Sequence, residues 1–153
     1  SNNNCVAAVL PSMIKNKSGH VVFVSSIQGL MALPERSAYS ASKHAMQAFS
    51  DSLRAEVAIH NISVTVVSAG YIKTELSRNA LTGSGGKHGE MDAATESGYA
   101  PGYVATEVGR AVVQKKKEIL ISTLVPRIGV FLRKYLPSVY FYVMEKRAQK
   151  HSF

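Results

Sequence analysis

Apolar and polar positions along the chain switch between two periods. From Cys5 to Ile14, Val6, Val9, Leu10 and Met13 share one face at helical spacing, which predicts the end of an amphipathic helix. Asn16-Lys17-Ser18-Gly19 is a turn. His20 to Val24 follows as a β-branched run without alternation, the pattern of a strand buried on both faces of a parallel sheet. Ile27 to Arg36 predicts a loop, punctuated by Gly29 and Pro34. Helical pattern resumes at Ser37 and continues to His60 with no Gly or Pro, and Asn61 ends it. Within it Ala38, Ala41, Ala45, Phe49 and Ser52 form a narrow small-residue face that would let another helix approach closely.

Ile62 to Val67 is a second buried-type strand, broken by Ser68-Ala69-Gly70. Thr82 to Gly98 is polar and rich in glycine and predicts a mobile loop. Pro101 to Lys115 returns to helical pattern through Val104, Val108, Ala111 and Val112. Lys115, Lys116 and Lys117 close it with charges suited to a helix's negative end. Glu118 to Ser122 is a short third strand. Beyond Pro126 the chain is apolar and aromatic with interspersed cations, and Pro137 breaks it. Alternating helices and buried strands predict an α/β fold, a doubly wound parallel sheet covered by helices. Three strands leave an edge and much helix surface uncovered. The chain therefore reads as a single partial domain, the second half of a larger one, with its main body in 1–124 and a tail in 125–153.

Composition supports a packed core: 46% of the 153 residues are hydrophobic and 18% charged. The net charge of +8 sits in one place. Residues 1–109 hold eight Lys/Arg and eight Asp/Glu, whereas residues 110–153 hold ten Lys/Arg and two acids, Glu118 and Glu145. Cys5 is the single cysteine, which excludes an intrachain disulfide, offers no metal cluster and fits a reducing compartment. The chain opens on Ser1 rather than methionine and shows no basic-then-apolar leader, so the true amino terminus is expected upstream.

Candidate chemistry concentrates between Ser26 and Lys43. Tyr39 and Lys43 are four apart, which puts both on one helix face, one turn apart. A free tyrosine, with a pKa of about 10, is a poor general base near neutrality. A neighbouring ammonium favours the phenolate and moves it toward useful acid–base chemistry. Ser26 lies thirteen residues before Tyr39, at the carboxyl end of a buried strand, where open α/β sheets place ligands. A serine there can hydrogen-bond a reacting oxygen and hold it against the tyrosine hydroxyl.

Ser26, then Tyr39-Ser40-Ala41-Ser42-Lys43, then Ser68-Ala69-Gly70-Tyr71-Ile72-Lys73-Thr74 resembles the short-chain dehydrogenase/reductase family. Leu10-Pro11-Ser12-Met13-Ile14 and Ser25-Ser26-Ile27-Gln28-Gly29 resemble one subgroup of it. The resemblance implies a Rossmann-like fold and hydride transfer between NAD(P)H and a carbonyl or alcohol. It implies Tyr39 as catalytic acid/base that also contacts the cofactor, and Lys43 as a catalytic residue that also binds the cofactor's ribose hydroxyls. Ser26 would hold the substrate carbonyl or hydroxyl, and Thr74 would contact the cofactor's nicotinamide end. No residue here selects between NAD and NADP, and NADP is taken ahead of NAD; among compartments the resemblance implies an intracellular, membrane-associated place at the endoplasmic reticulum. Three departures stand beside it. The sequence has no G-x-x-x-G-x-G turn for a pyrophosphate, and Ala69 stands where the family usually has proline. The asparagine of the family's catalytic tetrad also has no counterpart here, since Asn2, Asn3 and Asn4 sit too near Ser26.

Other patterns compete. Tyr142 and Lys146 repeat the Tyr-x-x-x-Lys spacing, but Gly129, not serine, lies thirteen before Tyr142. Ser40-Ala41-Ser42-Lys43 fits the S-x-x-K pattern of serine acyl transfer, without its companion motifs. Packing is the simpler role for Ser40 and Ser42. His44, His60 and His88 lack metal-ligand spacing, and no metal site is expected. The glycine-rich stretch suits either a substrate lid or a loose connection.

The tail carries Phe131, Tyr135, Tyr140, Phe141 and Tyr142 beside Arg127, Arg133 and Lys134. It suits a membrane surface and, equally, a helix pair packing on the sheet or on a second copy in a homodimer. Its charge lies on an apolar segment, which argues against nucleic acid. The function that follows is a carbonyl–alcohol oxidoreductase acting on a lipophilic small molecule. The alternative is a non-catalytic fragment serving as a membrane-surface or helix-packing module.

Overall fold

A computed structural model describes residues 2–74 and 93–151. Helix α1 (Asn2–Asn16) leads into strand β1 (Gly19–Ser26), a 3₁₀ turn (Ile27–Gly29) and the long helix α2 (Ser37–Val57). A second 3₁₀ turn (Ala58–His60) ends at Asn61, whose left-handed backbone (φ 56°) turns the chain into β2 (Ile62–Ala69). After the short α3 (Ala93–Glu96) come α4 (Pro101–Val113), β3 (Glu118–Ile121), α5 (Leu124–Tyr135) and α6 (Pro137–His151). Pro137 opens α6 at its first turn, where a missing N–H costs nothing, and so separates it from α5.

The strands form one parallel sheet in the order β1-β2-β3, with Gly19 opposite Ile62, Ser26 opposite Ala69 and Ala69 opposite Ile121. Alternate residues therefore face opposite layers. Phe23, Val64 and Val66 face α1 and α2, packing with Val6, Leu53 and Val57. Phe23 meets Phe49 of α2 edge-on, ring centroids 5.8 Å apart. On the other face Val67 and Ile121 pack against Val104 of α4. That layer lies over β2 and β3, so Val24 at the outer strand is 62% exposed. The unalternating run in β1 thus overstates the burial of Val24 alone: β2 is covered on both faces, and on the α4 side of β1 Val22 packs against the cluster while Val24 does not.

The doubly wound parallel arrangement agrees with the sequence reading, and the three strands fall where expected. The small-residue face of α2 stays largely exposed at Ala38, Ala41, Ala45 and Ser52, while Phe49 turns into the core. Of the expected loop at 82–98, residues 82–92 lie outside the described residues, and Ala93–Glu96 form a helical turn. The tail folds as a helix pair, α5 against α6.

Candidate functional site

The carboxyl ends of β1 and β2 and the first turns of α2 meet at one cleft. Ser26 ends β1 in extended conformation, and its Oγ accepts the Gln28 amide N–H at 3.2 Å, capping the 3₁₀ turn. Gln28 is buried, and its Oε1 accepts from Ser40 Oγ at 3.2 Å. Ser40, Lys43 and Gln47 fall at i, i+3 and i+7, so one polar face of α2 turns toward the strand ends. Lys43 Nζ donates to the Val24 carbonyl at 3.3 Å, and Gln47 Nε2 donates to Ser68 Oγ at 2.7 Å. Gly29 permits this close seating: a Cβ there would stand 2.8 Å from the Lys43 carbonyl oxygen.

Tyr39 lies beside that face and is 45% exposed. The Lys43 ammonium lies 5.6 Å from its ring centroid, so the four-residue spacing does bring the charge to the phenol. Ser26, Tyr39 and Thr74 line a common cleft of about 500 Å³, together with Gln28, Arg36 and Tyr71. Lys43 adjoins it through Tyr39. Thr74 reaches the cleft because the chain leaving β2 is pinned. The Gly70 amide donates to the Ile121 carbonyl at 2.8 Å, Tyr99 donates to Tyr71 at 3.2 Å, and Lys73 donates to Tyr99 at 2.9 Å. Ala69 completes β2 opposite Ser26.

Two contributions escaped the sequence. Ser40 does pack, as its small size suggests, but its hydroxyl also links α2 to Gln28 beneath Ser26. Its place three before Lys43 and seven before Gln47 was the available signal. A buried, engaged Ser40 hydroxyl also leaves the serine-nucleophile pattern without an accessible nucleophile. The other contribution is Tyr140, from 108 residues away. Its ring is buried among Ile27, Met31 and Leu33, and its hydroxyl donates to the Ala32 carbonyl. Burial pushes this phenol above its usual range, opposed by the Arg133 charge and the Ala32 bond. Because Met31 and Leu33 also line the cleft, α6 buttresses the cleft wall. Among the described residues, no three His, Cys, Asp or Glu side chains converge as a metal site would require.

Comparisons with known proteins bear on this geometry. The family model for short chain dehydrogenases matches residues 1–84, more than half of the chain. Over 143 residues the chain is 54% identical to a dehydrogenase/reductase SDR family protein 7-like of Anopheles gambiae, covering 94% of this chain and 45% of that protein. Over 145 residues it is 54% identical to dehydrogenase/reductase SDR family member 7B of Xenopus laevis, covering 95% of this chain and 45% of that protein. The chain thus spans about half the length of the curated relatives it matches. Among solved structures, a short chain dehydrogenase from Burkholderia cenocepacia in complex with NADP is similar, with a TM-score of 0.67 and 25% identity. That match covers 94% of this chain and 54% of the other.

Proposed function

Because the chain belongs to the short-chain dehydrogenase family, we propose that its cleft performs the proton transfer of an NAD(P)-dependent carbonyl–alcohol interconversion. The observation that carries this is the convergence of Ser26, Tyr39 and Thr74 on one cleft with Lys43 beside the tyrosine ring. In reduction the Tyr39 hydroxyl gives its proton to the substrate oxygen, and in oxidation the phenolate takes it back. The Lys43 charge steadies the negative oxygen left on Tyr39. Ser26 Oγ accepts from Gln28, which leaves its own proton free to donate to the reacting oxygen.

The residues present suit the nicotinamide-ribose end of a dinucleotide. Lys43 uses one of its three donors on Val24 and has others for ribose hydroxyls. Tyr39 and Thr74 flank the same space. When bound, the dinucleotide supplies or accepts the hydride. The similar Burkholderia protein, held with NADP, supports NADP as the cofactor. A lipophilic substrate is supported by a second cavity of about 590 Å³, chiefly apolar in lining, which shares Met31, Leu33, Tyr71 and Pro126 with the cleft.

The test is NADPH oxidation against a panel of apolar ketones, using a polypeptide that carries this sequence at the relatives' length. Tyr39→Phe should lower turnover by at least about 100-fold and leave NADPH affinity within about threefold. Retained turnover removes Tyr39 from its role. Titration of this 153-residue chain with NADPH, followed by its fluorescence, tests whether these residues bind cofactor without the rest of the domain.

A further inference from the structure

We infer that α5 and α6 dock on an anionic bilayer surface, and that the cavity between them is the route by which an apolar substrate passes from that surface to Tyr39; the route rests on the oxidoreductase reading above. Ten of the sixteen exposed large hydrophobic residues among the described residues lie between Leu124 and Val143. The patch is therefore concentrated on one helix pair rather than scattered. On α5, Leu124, Ile128, Phe131 and Tyr135 recur at i, i+4, i+7 and i+11, one continuous face, and each is between 47% and 71% exposed. Arg127 and Lys134 fall along one border of that face.

The charge selects the occupant. From Leu124 to His151 the helix pair carries Arg127, Arg133, Lys134, Lys146, Arg147 and Lys150 against a single acid, Glu145. A second copy on this face would bring the same cations together, whereas acidic lipid headgroups complement them. Lys134 lies over the Tyr135 ring at 5.2 Å, Arg133 over Phe141 at 5.2 Å and Lys146 over Tyr142 at 5.8 Å. Cations laid along exposed aromatic rings suit the boundary between headgroups and acyl chains. Among the described residues no helix is long and apolar enough to cross a membrane, so the pair lies on the surface.

The cavity opens beside this face and shares Ile128 with it. Val125 and Ile128 of α5 and Val143 of α6 line it and are themselves 77%, 47% and 43% exposed, which marks its mouth. At its inner end Met31, Leu33, Tyr71 and Pro126 are walls shared with the Tyr39 cleft. Gly129 brings α5 against this neck: a Cβ there would stand 2.7 Å from Met31 Sδ.

The chain contains no tryptophan, so single substitutions give site-specific fluorescence. Phe131→Trp reports the apolar face, Val143→Trp the cavity mouth, and Val113→Trp the remote end of α4. With vesicles of phosphatidylserine and phosphatidylcholine bearing brominated acyl chains, Phe131→Trp should be quenched about twofold more than Val113→Trp. Neutralising Lys134 and Lys146 to glutamine should weaken vesicle binding by about tenfold. A long-chain alkyl ketone carrying a terminal bromine should quench Val143→Trp about twofold more than Val113→Trp.

Equal vesicle quenching at positions 131 and 113, in chains whose circular dichroism shows them folded, overturns docking. A lipid-free blue shift of Phe131→Trp that grows with chain concentration also overturns it, by making a second copy the occupant. Docking with no ketone quenching at Val143→Trp overturns the route alone. Absence of NADPH oxidation on any apolar ketone by the polypeptide at the relatives' length overturns the oxidoreductase reading and leaves the vesicle result standing.

Discussion

The chain holds two Tyr-x-x-x-Lys pairs whose local geometry is nearly the same. The ammonium lies 5.6 Å from the ring centroid in Tyr39–Lys43 and 5.8 Å in Tyr142–Lys146. Helical spacing dictates that much. Everything else differs. Lys43 also donates to the Val24 carbonyl on β1, whereas Lys146 reaches Gln149 on its own helix at 3.5 Å. The residue after Tyr39 is buried Ser40, tied to Gln28, and the residue after Tyr142 is exposed Val143. Tyr39 shares a cleft with Ser26 and Thr74, while Tyr142 points from a helix pair whose apolar face is open. Spacing makes a pair, and the ends of a parallel sheet give one of the two pairs a cleft.

The largest test of that contrast is turnover. Tyr39→Phe should cost at least about 100-fold, as set out above, and Tyr142→Phe should leave turnover within about twofold. Equal losses at both positions would mean that the tail pair takes part in the chemistry. The next effect is on cofactor. Lys43→Met should weaken NADPH binding by about tenfold, the scale of one charged hydrogen bond, and Lys146→Met should leave it unchanged. Fluorescence titration of NADPH decides this, and a matching loss at Lys146 would erase the distinction.

The contrast also shows which parts of the molecule a sequence reveals. Strand and helix identities were legible because Val21–Phe23, Val64–Val67 and the apolar positions of α2 follow periods fixed by backbone geometry. Tyr39, Lys43 and Ser26 were legible as a group because each lies within one helix–strand unit. The Ser40–Gln28 link was less so, since serine reads as packing until the helix is placed over the strand end. Tyr140 was not legible at all. Its partner Ala32 is a backbone carbonyl, which carries no sequence signature, and tertiary packing alone brings them together.

Stability gives a smaller handle on the same difference. Ser40→Ala removes the donor to a buried Gln28 oxygen and should destabilise the chain by about 1–2 kcal/mol. Val143→Ala, the same position relative to the other tyrosine, should change stability by no more than about 0.5 kcal/mol. Urea unfolding reads both as shifts of midpoint at constant slope. A Ser40 effect no larger than that of Val143 would show that the Gln28 link does not hold α2 in place.

The smallest expected effect is a pH dependence of the sheet on which Tyr39–Lys43 rests. Thr65 Oγ1 gives its proton to the Lys116 carbonyl, so it accepts from His20 Nε2–H at 2.8 Å. Burial first, and the Lys115 charge second, lower the His20 pKa below its ordinary 6.5. The folded chain therefore binds this proton less readily than the unfolded one. The stability His20 contributes is complete above 6.5 and is lost as the pH falls toward the lower folded value. A shallow decline in the urea midpoint on acidification should accordingly be reduced in His20→Gln. His20 lies on β1, the strand whose Val24 carbonyl receives Lys43, so acid acts on the support of one tyrosine–lysine pair. The other pair stands on α6, away from that strand. An acid decline that is just as steep in His20→Gln would assign the effect to other groups and remove His20 from the support of the site.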